Sequence, residues 1–338
     1  MSLPPVYLVD ASIYIFRAWF SMPDEFVNQR GEPTNAVYGF LGFICSLLEQ
    51  TGAQHVAIAF DESLTSSYRN EIYPEYKANR EPAPQELKRQ FSWARSVSEA
   101  MGLQCYGDAR YEADDLIGTL AEHWRDRGHP ICVVTADKDL AQLVGENDHW
   151  WDFSRNQKLN ARQLTEKFGV TPQQMADFLA LTGDTVDNIP GIPGVGPKSA
   201  SALLGHFGDL DQLYSRLDEV PHLSIRGAKS LQKKLIDHQD AAVLARKLTI
   251  IETAVESALA SPELGRMEVD TARLNRLFDE LAFGGMLRHR CLRCRRQPRR
   301  QPRKQCTHCS QSGMVAPTLT MTRRAGDLEE HLCRQHPK

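Results

Sequence analysis

The chain has 338 residues, of which 41% are hydrophobic and 25% are charged, a composition typical of globular proteins. No run reaches the roughly 18 apolar residues of a membrane span, and the first residues lack the basic and apolar regions of a signal peptide. We therefore expect a cytoplasmic protein, neither secreted nor embedded in a membrane. Eight cysteines in a chain of this length do not indicate a disulfide framework.

Charge divides the chain into two parts. Residues 281–338 contain 13 basic and three acidic residues, whereas residues 1–280 contain 27 basic and 40 acidic residues. Five of the eight cysteines also lie in 281–338. This change of composition predicts a boundary near Met286.

Three short apolar runs in the first half each end in an aspartate: residues 6–10, 55–61 and 131–137. Continuous apolar runs predict strands that are buried on both faces, as in a parallel sheet. Helical patterns over 36–50, 85–101 and 113–126 separate them. This alternation predicts an α/β fold with a central, mostly parallel sheet and helices on both faces. The three aspartates should then meet at the carboxyl edge, where such sheets bind ligands.

Acidic residues cluster in and around these runs. The nine candidate metal ligands are Asp10, Asp61, Glu112, Asp114, Asp115, Asp137, Asp139, Asp184 and Asp187. Hard cations such as Mg²⁺ or Mn²⁺ would offset their mutual repulsion, and two such ions suit attack on a phosphodiester. For a single acidic pair, complementing a helix dipole is an equal alternative. We favour the metal interpretation for the whole set.

Beyond residue 159 the pattern becomes helical, with a helix start at 171–172 and helical patterns over 199–207 and 228–251. A Gly- and Pro-rich hairpin at 191–200 interrupts it. Its candidate nucleic-acid contacts are Gly191, Gly194, Gly196, Lys198 and Ser199. Glycines allow the backbone to approach a phosphate closely, so the hairpin is predicted to hold a nucleic-acid backbone without reading bases. The alternative is a purely structural turn, and no repeat of 20–50 residues is visible.

A third motif lies at 73–82 and contains Tyr76, Lys77 and Arg80. Tyrosine can stack on a base, and basic side chains can stabilise charge on a phosphate. Taken alone, the motif is a weak signal, because an exposed loop of Tyr, Lys and Arg is usually just solvated.

Together these motifs resemble the 5′-nuclease family, which includes the N-terminal domain of bacterial DNA polymerase I and the flap endonucleases. The resemblance rests on VDAS at Asp10 with Arg17, AFD at Asp61, YPEYKANR at 73–80, YEADDLIGTLA at 111–121, TADKDLAQLV at 135–144 and LTGDTVDNIPGIPGVGPKSA at 181–200. It covers about residues 4–288. No polymerase domain follows, so we expect a free-standing enzyme.

The resemblance implies a nuclease core like that of PIN domains in residues 1–170, a helical arch around 70–100, and a helix–hairpin–helix-type module in 171–288. It implies two metal clusters, one of Asp10, Asp61, Glu112, Asp114 and Asp115 and one of Asp137, Asp139, Asp184 and Asp187. Lys77 and Arg80 would contact the scissile phosphate beside Tyr76, with Arg17 as a further catalytic candidate. K⁺ could bind at the hairpin. The implied activity is 5′-3′ exonuclease or 5′-flap endonuclease cleavage of DNA in replication and repair.

Residues 289–338 depart from the family pattern. Cys291, Cys294, Cys306 and Cys309 have the paired spacing of a four-cysteine zinc site, although the gap of eleven residues is shorter than the usual 15–20 or so. The basic residues between the pairs could contact phosphates non-specifically. A disordered extension and a reading-frame artefact are the alternatives to a zinc site, and they remain open.

Two other functions compete with a nuclease. A nucleic-acid-binding module without catalysis would gain nothing from nine clustered acids. A phosphatase using Asp137 and Asp139 would leave the hairpin at 191–200 unexplained.

Overall fold

The computed structural model of this chain describes residues 3–23, 25–62 and 67–294. Its strands are β1 (Val6–Asp10), β2 (His55–Ala59), β3 (Gln104–Tyr106), β4 (Ile131–Val134), β5 (His149–Asp152) and β6 (Gln157–Leu159). They form one sheet in the order β3-β2-β1-β4-β5-β6. Every neighbouring pair is parallel except β5 and β6. The predicted α/β fold with a mostly parallel sheet is therefore confirmed.

Helices cover both faces of this sheet. In the first half they are α1 (Ala11–Ser21), α2 (Asn35–Thr51), α3 (Tyr68–Ile72), α4 (Gln85–Ala100) and α5 (Ala113–Arg125). Side chains of β1 alternate between two cores: Tyr7 and Val9 pack with α1, α2 and α4, whereas Val6 and Leu8 pack with α5. Burial on both sides explains the continuous apolar run in β1.

The region predicted as a helical arch, residues 70–100, contains α3, a non-helical segment and α4. Leu87, Phe91 and Val97 of α4 are buried in the core that α4 shares with α2. The part of this region that reaches the acidic residues is therefore the turn at 73–80.

The helical second half contains α6 (Ala161–Phe168), α7 (Met175–Thr182), α8 (Pro197–Phe207), α9 (Leu210–Ser215), α10 (Ala228–Asp237) and α11 (Gln239–Thr249). These helices share one core, which includes Leu179, Leu203 and Leu231. The start predicted at 171–172 is a 3₁₀ helix, Pro172–Gln174, capped by Thr171. A break at His238 divides the helical pattern of 228–251 between α10 and α11.

After α11 the chain returns to the sheet, which differs from the single helical region predicted for 171–288. Helix α12 (Glu256–Leu259) packs against α5. Helices α13 (Thr271–Glu280) and α14 (Gly285–Arg293) pack against α4 and α2, respectively. Helix α14 also continues past the boundary predicted at 288. Across the ranges that the structure describes, no helix combines the length and apolar character needed to cross a membrane.

Candidate active site

The carboxyl edge of the sheet brings three predicted aspartates together. Asp10 ends β1 and caps α1, where it accepts a hydrogen bond from the Ser12 N–H. The Thr135 hydroxyl donates to Asp10 at 2.9 Å. The Ser12 hydroxyl donates to Asp61 at 2.6 Å. These bonds tie the ends of β1, β2 and β4 into one polar surface.

Like charges face each other on this surface. Burial, followed by the charges of Asp61 and Asp137, raises the pKa of Asp10 to about 7. Burial, followed by Asp137 and Asp10, raises the pKa of Asp114 well above its usual range. Burial also raises the pKa of Asp137. Asp10, Asp61, Asp114 and Asp137 therefore form one group of mutually repelling carboxylates.

A second group of carboxylates, formed by Asp139, Asp184 and Asp187, adjoins the first. Burial and the charge of Asp137 raise the pKa of Asp139 well above its usual range, and the Asp139 Oδ1 atom is buried without a hydrogen-bond partner. The Lys138 ammonium lies 2.6 Å from an Asp184 oxygen. Asp184 also accepts a hydrogen bond from the Val186 N–H, which shapes the loop that carries Asp187.

Lys77 and Arg80 bring positive charge to the same place. The Lys77 ammonium lies 2.5 Å from Glu112 and 3.7 Å from Asp187, and Arg80 also pairs with Asp187. Burial alone would raise the pKa of Asp187, but Lys77 and Arg80 together hold it below its usual range. Burial alone would also raise the pKa of Glu112, but the charges of Lys77 and Arg69 lower it below its usual range. The structure thus places Lys77 and Arg80 against the acidic residues, while their contact with a scissile phosphate stays a prediction.

The turn at 73–80 is docked on the loop that carries Asp187. The Lys77 N–H donates to the Asp187 carbonyl at 2.9 Å, and the Asn188 side chain donates to the Glu75 carbonyl at 2.7 Å. Lys77 has a φ of 56° and Asn188 a φ of 55°. Asparagine adopts this left-handed region readily, but lysine does so at a cost. The docking therefore holds Lys77 in a strained conformation that directs it to the acids.

Tyr76 does not have the role predicted for it. Its side chain is 4% exposed and packs in the core of the helical half. Its hydroxyl lies 3.0 Å from Glu112 and 3.2 Å from Asp187. The ring is thus unavailable for stacking on a base, and the hydroxyl instead bridges two carboxylates.

Asp115 also differs from the prediction that it is a metal ligand. It is fully buried, and its two oxygens accept hydrogen bonds from two Arg69 nitrogens and from the N–H groups of Glu112 and Glu252. All of its acceptor positions are occupied, so the structure does not support Asp115 as a ligand. The helix start turns Asp114, not Asp115, toward the other acids.

Arg69 is a residue that the sequence analysis missed. It is 2% exposed and contacts Glu112 as well as Asp115. It also donates to the carbonyls of Leu248 and Ile250. Arg69 therefore connects the acidic edge of the sheet to the end of α11. The acceptors of its guanidinium hydrogen bonds lie 43 or more residues away along the chain, so no local pattern indicated them.

Arg17, predicted to be catalytic, lies on α1 and pairs with Asp152 at the end of β5, at 3.4 Å. No contact of Arg17 with any of the nine predicted ligands is present among the described residues. Its catalytic role stays a prediction.

The hairpin at 191–200 has a buried side and an exposed side. Ile192 and Val195 are buried in the core of the helical half, while Gly194, Gly196 and Lys198 are exposed. Ser199, in the first turn of α8, is partly exposed. A side chain at Gly196 would meet nothing within 4 Å, so the space beside this residue is open to a ligand.

Glycine is required at the base of the hairpin. A Cβ atom on Gly191 would overlap the backbone of Thr182 and Gly183, and Gly183 has a φ of 73°. This close approach joins the hairpin to the loop that carries Asp184 and Asp187. The base of the hairpin therefore packs directly against the start of the loop that carries Asp184 and Asp187.

Lys234 of α10 is a further basic residue beside the hairpin. A Cβ atom on Gly194 would collide with the Lys234 ammonium, so this charge lies directly against the hairpin backbone. Neither Lys234 nor Lys198 makes an ion pair with a described residue. Lys234 lies 40 residues beyond Gly194 in the chain, so no local pattern connects it with the hairpin.

The predicted zinc ligands Cys291 and Cys294 are buried, at 0% and 7% exposure. They pack with α2 in the core that α2 shares with α4. Cys306 and Cys309 lie outside the described residues. The zinc site therefore stays a prediction.

The acidic edge fits hard divalent cations. Such ions bind carboxylate oxygens, and this edge offers mutually repelling carboxylates together with the buried Asp139 Oδ1 atom, which has no donor. No three acidic, histidine or cysteine side chains among the described residues already have the geometry of a metal site. Lys77, Arg80 and Lys138 contact the carboxylates instead.

A mostly parallel sheet whose carboxyl edge carries clustered functional side chains is the arrangement in which α/β proteins bind their ligands. Comparison with known proteins specifies the family. Residues 5–169 match the model of the 5′-3′ exonuclease N-terminal resolvase-like domain, and residues 170–272 match the model of the 5′-3′ exonuclease C-terminal SAM fold. The chain belongs to the 5′-3′ exonuclease family.

Curated relatives are bacterial DNA polymerases I. The chain is 41% identical to that of Pseudomonas aeruginosa over 288 residues, which cover 85% of the chain and 31% of the relative. It is 35% identical to the DNA polymerase I of Bacillus caldotenax over 285 residues, which cover 83% of the chain and 32% of that relative. The chain thus spans about a third of the length of these relatives.

Solved structures share the fold. Phage T5 5′-exonuclease with bound zinc has a TM-score of 0.61 at 20% identity, covering 82% of this chain and 99% of that one. The catalytic core of Rad2 in complex with a DNA substrate has a TM-score of 0.59 at 16% identity, covering 87% and 93%.

Proposed function

We propose that this chain is a structure-specific 5′ nuclease that hydrolyses phosphodiester bonds of DNA, as a 5′-3′ exonuclease, a 5′-flap endonuclease or both. The observation that carries the proposal is the pair of adjoining carboxylate groups at the carboxyl edge of the sheet. The proposed ligands of two Mg²⁺ or Mn²⁺ ions are Asp10, Asp61, Glu112, Asp114, Asp137, Asp139, Asp184 and Asp187. When bound, the ions would supply Lewis acidity on both sides of one phosphodiester.

The protein's own groups orient the substrate. Lys77 and Arg80 lie against Glu112 and Asp187. With cations held by those carboxylates, both basic groups would be available to bind the scissile phosphate and its developing charge. The docking of the turn at 73–80 would position Lys77 and Arg80 for that contact.

The helical half would hold duplex DNA by its backbone. Gly194 and Gly196 expose the hairpin backbone, and Lys198 and Lys234 add positive charge beside it. Because these groups can reach phosphates but present no array for base edges, binding should be independent of sequence. We also propose that K⁺ binds at the hairpin and takes part in holding the DNA backbone.

The cellular role proposed is DNA replication and repair in the cytoplasm, supported by the similarity to the nuclease region of bacterial DNA polymerases I. The Rad2 complex with DNA supports DNA as the substrate class.

One assay separates this function from its competitors. The full chain is incubated with Mg²⁺ and an end-labelled 5′-flap duplex, a closed duplex or a phosphomonoester. We expect cleavage of the flap duplex alone, its loss in EDTA, and its loss in Asp114→Asn with binding retained in Ca²⁺. Binding without cleavage would indicate a module without catalysis, and release of phosphate from the monoester would indicate a phosphatase.

A further inference from the structure

Three cysteine side chains meet between α2 and α14. The Cys45 and Cys291 sulfurs lie 3.4 Å apart, and both side chains are fully buried. Cys294, one turn further along α14, is 7% exposed and completes the cluster. The other described cysteines, Cys105 and Cys132, are single thiols. This grouping plays no part in the nuclease site described above.

Polar contacts hold the two helices in register at this point. Arg290, which precedes Cys291, donates to Glu49 and to Ser46, each at 2.8 Å. Glu49 lies one turn after Cys45 on α2. The ion pair therefore fixes α14 so that the Cys291 sulfur faces the Cys45 sulfur.

We propose that Cys45 and Cys291 are a site of reversible disulfide formation that fastens α14 to α2. The two sulfurs need to approach from 3.4 Å to about 2.05 Å. Such a bond would join residues 246 positions apart. Cytoplasmic disulfides are usually transient responses to oxidation, so the resting state is the thiol pair that the structure shows.

The reaction requires α14 to separate from α2. Both side chains are fully buried in the closed form, so an oxidant in solution cannot reach either sulfur there. Native proteins open locally at free energies below that of global unfolding, and α14 is the last helix of the described residues. In the open form the sulfurs reach solvent.

The oxidant is a low-molecular-weight disulfide such as oxidised glutathione. The Cys45 thiolate, having lost its proton to solvent, attacks one glutathione sulfur and expels one glutathione thiolate. The Cys291 thiolate then attacks the Cys45 sulfur of the mixed disulfide and expels the second. The protein loses two thiol protons and gains one S–S bond, while one glutathione disulfide is reduced to two thiols.

The test maps disulfides in the full chain. The native protein is equilibrated with oxidised glutathione, its remaining thiols are alkylated in denaturant, and its peptides are analysed by mass spectrometry. We expect one cross-linked pair of peptides containing Cys45 and Cys291, lost on reduction. Finding Cys45 and Cys291 both alkylated, or Cys45 joined to Cys294, would overturn the proposal.

Thermal unfolding provides a second measurement. Because the bond would close a very long loop, oxidation should raise the melting temperature by about 5 °C, and dithiothreitol should reverse the rise. Cys291→Ser should abolish the shift, while Cys132→Ser, at another buried cysteine, should keep it. A zinc ion held by Cys291 in the purified full chain would also overturn the proposal, because that thiolate would not be available.

Discussion

Arg69 and Asp115 form a buried ion pair in which two guanidinium nitrogens donate to the two carboxylate oxygens, each at 2.8 Å. The same guanidinium contacts Glu112 at 2.9 Å and the carbonyls of Leu248 and Ile250. A charge desolvated this completely is tolerated only with all of its partners present. The pair thus sets the orientation of the acidic helix start relative to the end of α11.

Replacing Arg69 by methionine should destabilise the protein strongly. It leaves the Asp115 charge buried without its partner, which costs about 3–5 kcal/mol in comparable cases. Urea unfolding in EDTA measures this loss without any contribution from metal. The matched control is Arg162→Met, which removes the exposed pair with Glu166 and should change stability little. An equally small loss of stability for both substitutions would show that the ion pair of Arg69 contributes no more to stability than an exposed one.

Asp114 and Asp115 are adjacent in the chain, but replacing each by asparagine should have opposite effects on the stability of the metal-free protein. Asp114→Asn removes a repelling charge, so it should stabilise the metal-free protein at pH 8 while lowering turnover by orders of magnitude. Asp115→Asn should destabilise it, because Arg69 loses half of its counter-charge. Melting temperatures in EDTA and cleavage rates in Mg²⁺ give both quantities. A wild-type rate for Asp114→Asn would exclude this residue as a metal ligand.

These residues show where sequence reasoning was sufficient and where it failed. Asp10, Asp61 and Asp137 were predictable because each follows an apolar run, and parallel strands place their carboxyl ends at one edge. The roles of Asp114 and Asp115 were not predictable. Glu112 and Asp115 are three residues apart and so share a helix face, but this spacing does not say which face points toward the other acids. Tyr76 and Arg69 are polar groups buried by contacts across the chain, and no local pattern encodes such contacts.

The fold follows the same division. Helices α2, α4 and α5 were predicted within two residues, since their apolar faces repeat at helical spacing. Strands β3 and β6 have three residues each, too few to establish any period. The packing of α13 and α14 against α4 and α2 depends on Leu274, Phe278 and Leu287, and α4 and α2 lie more than 170 residues earlier in the chain.

The metal-free protein should become less stable as the pH rises from about 4 to 8. The pKa of Asp10 is about 7 in the folded state and 3.8 as its ordinary value. Its contribution is therefore fully present below about pH 4 and is lost as the pH rises through about 7. Melting temperatures in EDTA between pH 5 and 8 should fall, and Mg²⁺ should reduce the fall. A pH-independent melting temperature would mean that neither burial nor the neighbouring carboxylates raise the pKa of Asp10 in the folded protein.

Lys198 and Lys234 should each contribute about one phosphate contact. Lys198→Ala and Lys234→Ala are expected to weaken binding to a flap duplex and to lower the slope of log K against log salt by about 0.9 each. The control is Arg127→Ala, an exposed residue before β4 at the opposite edge of the sheet. An unchanged slope for Lys234→Ala would place its ammonium away from DNA. A similar loss in the control would indicate a nonspecific charge effect.

Two truncations test where the folded nuclease ends. Removal of everything after Arg288 deletes Arg290, Cys291 and Cys294, which contact α2, so this form should melt at a lower temperature than the full chain. Removal of everything after Cys294 keeps these contacts. It should retain the melting temperature and full cleavage of a 5′-flap duplex, because the acids, Lys77, Arg80 and the hairpin all precede that point. Loss of cleavage in the longer form would place part of the active site beyond Cys294.

The longer truncation also isolates the charge of residues 295–338, which contain ten basic and three acidic residues. Long-range attraction to DNA is least screened at low salt. The truncated form should therefore bind a flap duplex more weakly than the full chain at about 50 mM salt and equally well near 200 mM, with a shallower salt slope. Fluorescence anisotropy across this range in Ca²⁺, which avoids cleavage, measures both. A difference in affinity that persists at 200 mM would indicate specific contacts by residues 295–338, and a chelator effect confined to the full chain would assign them to zinc.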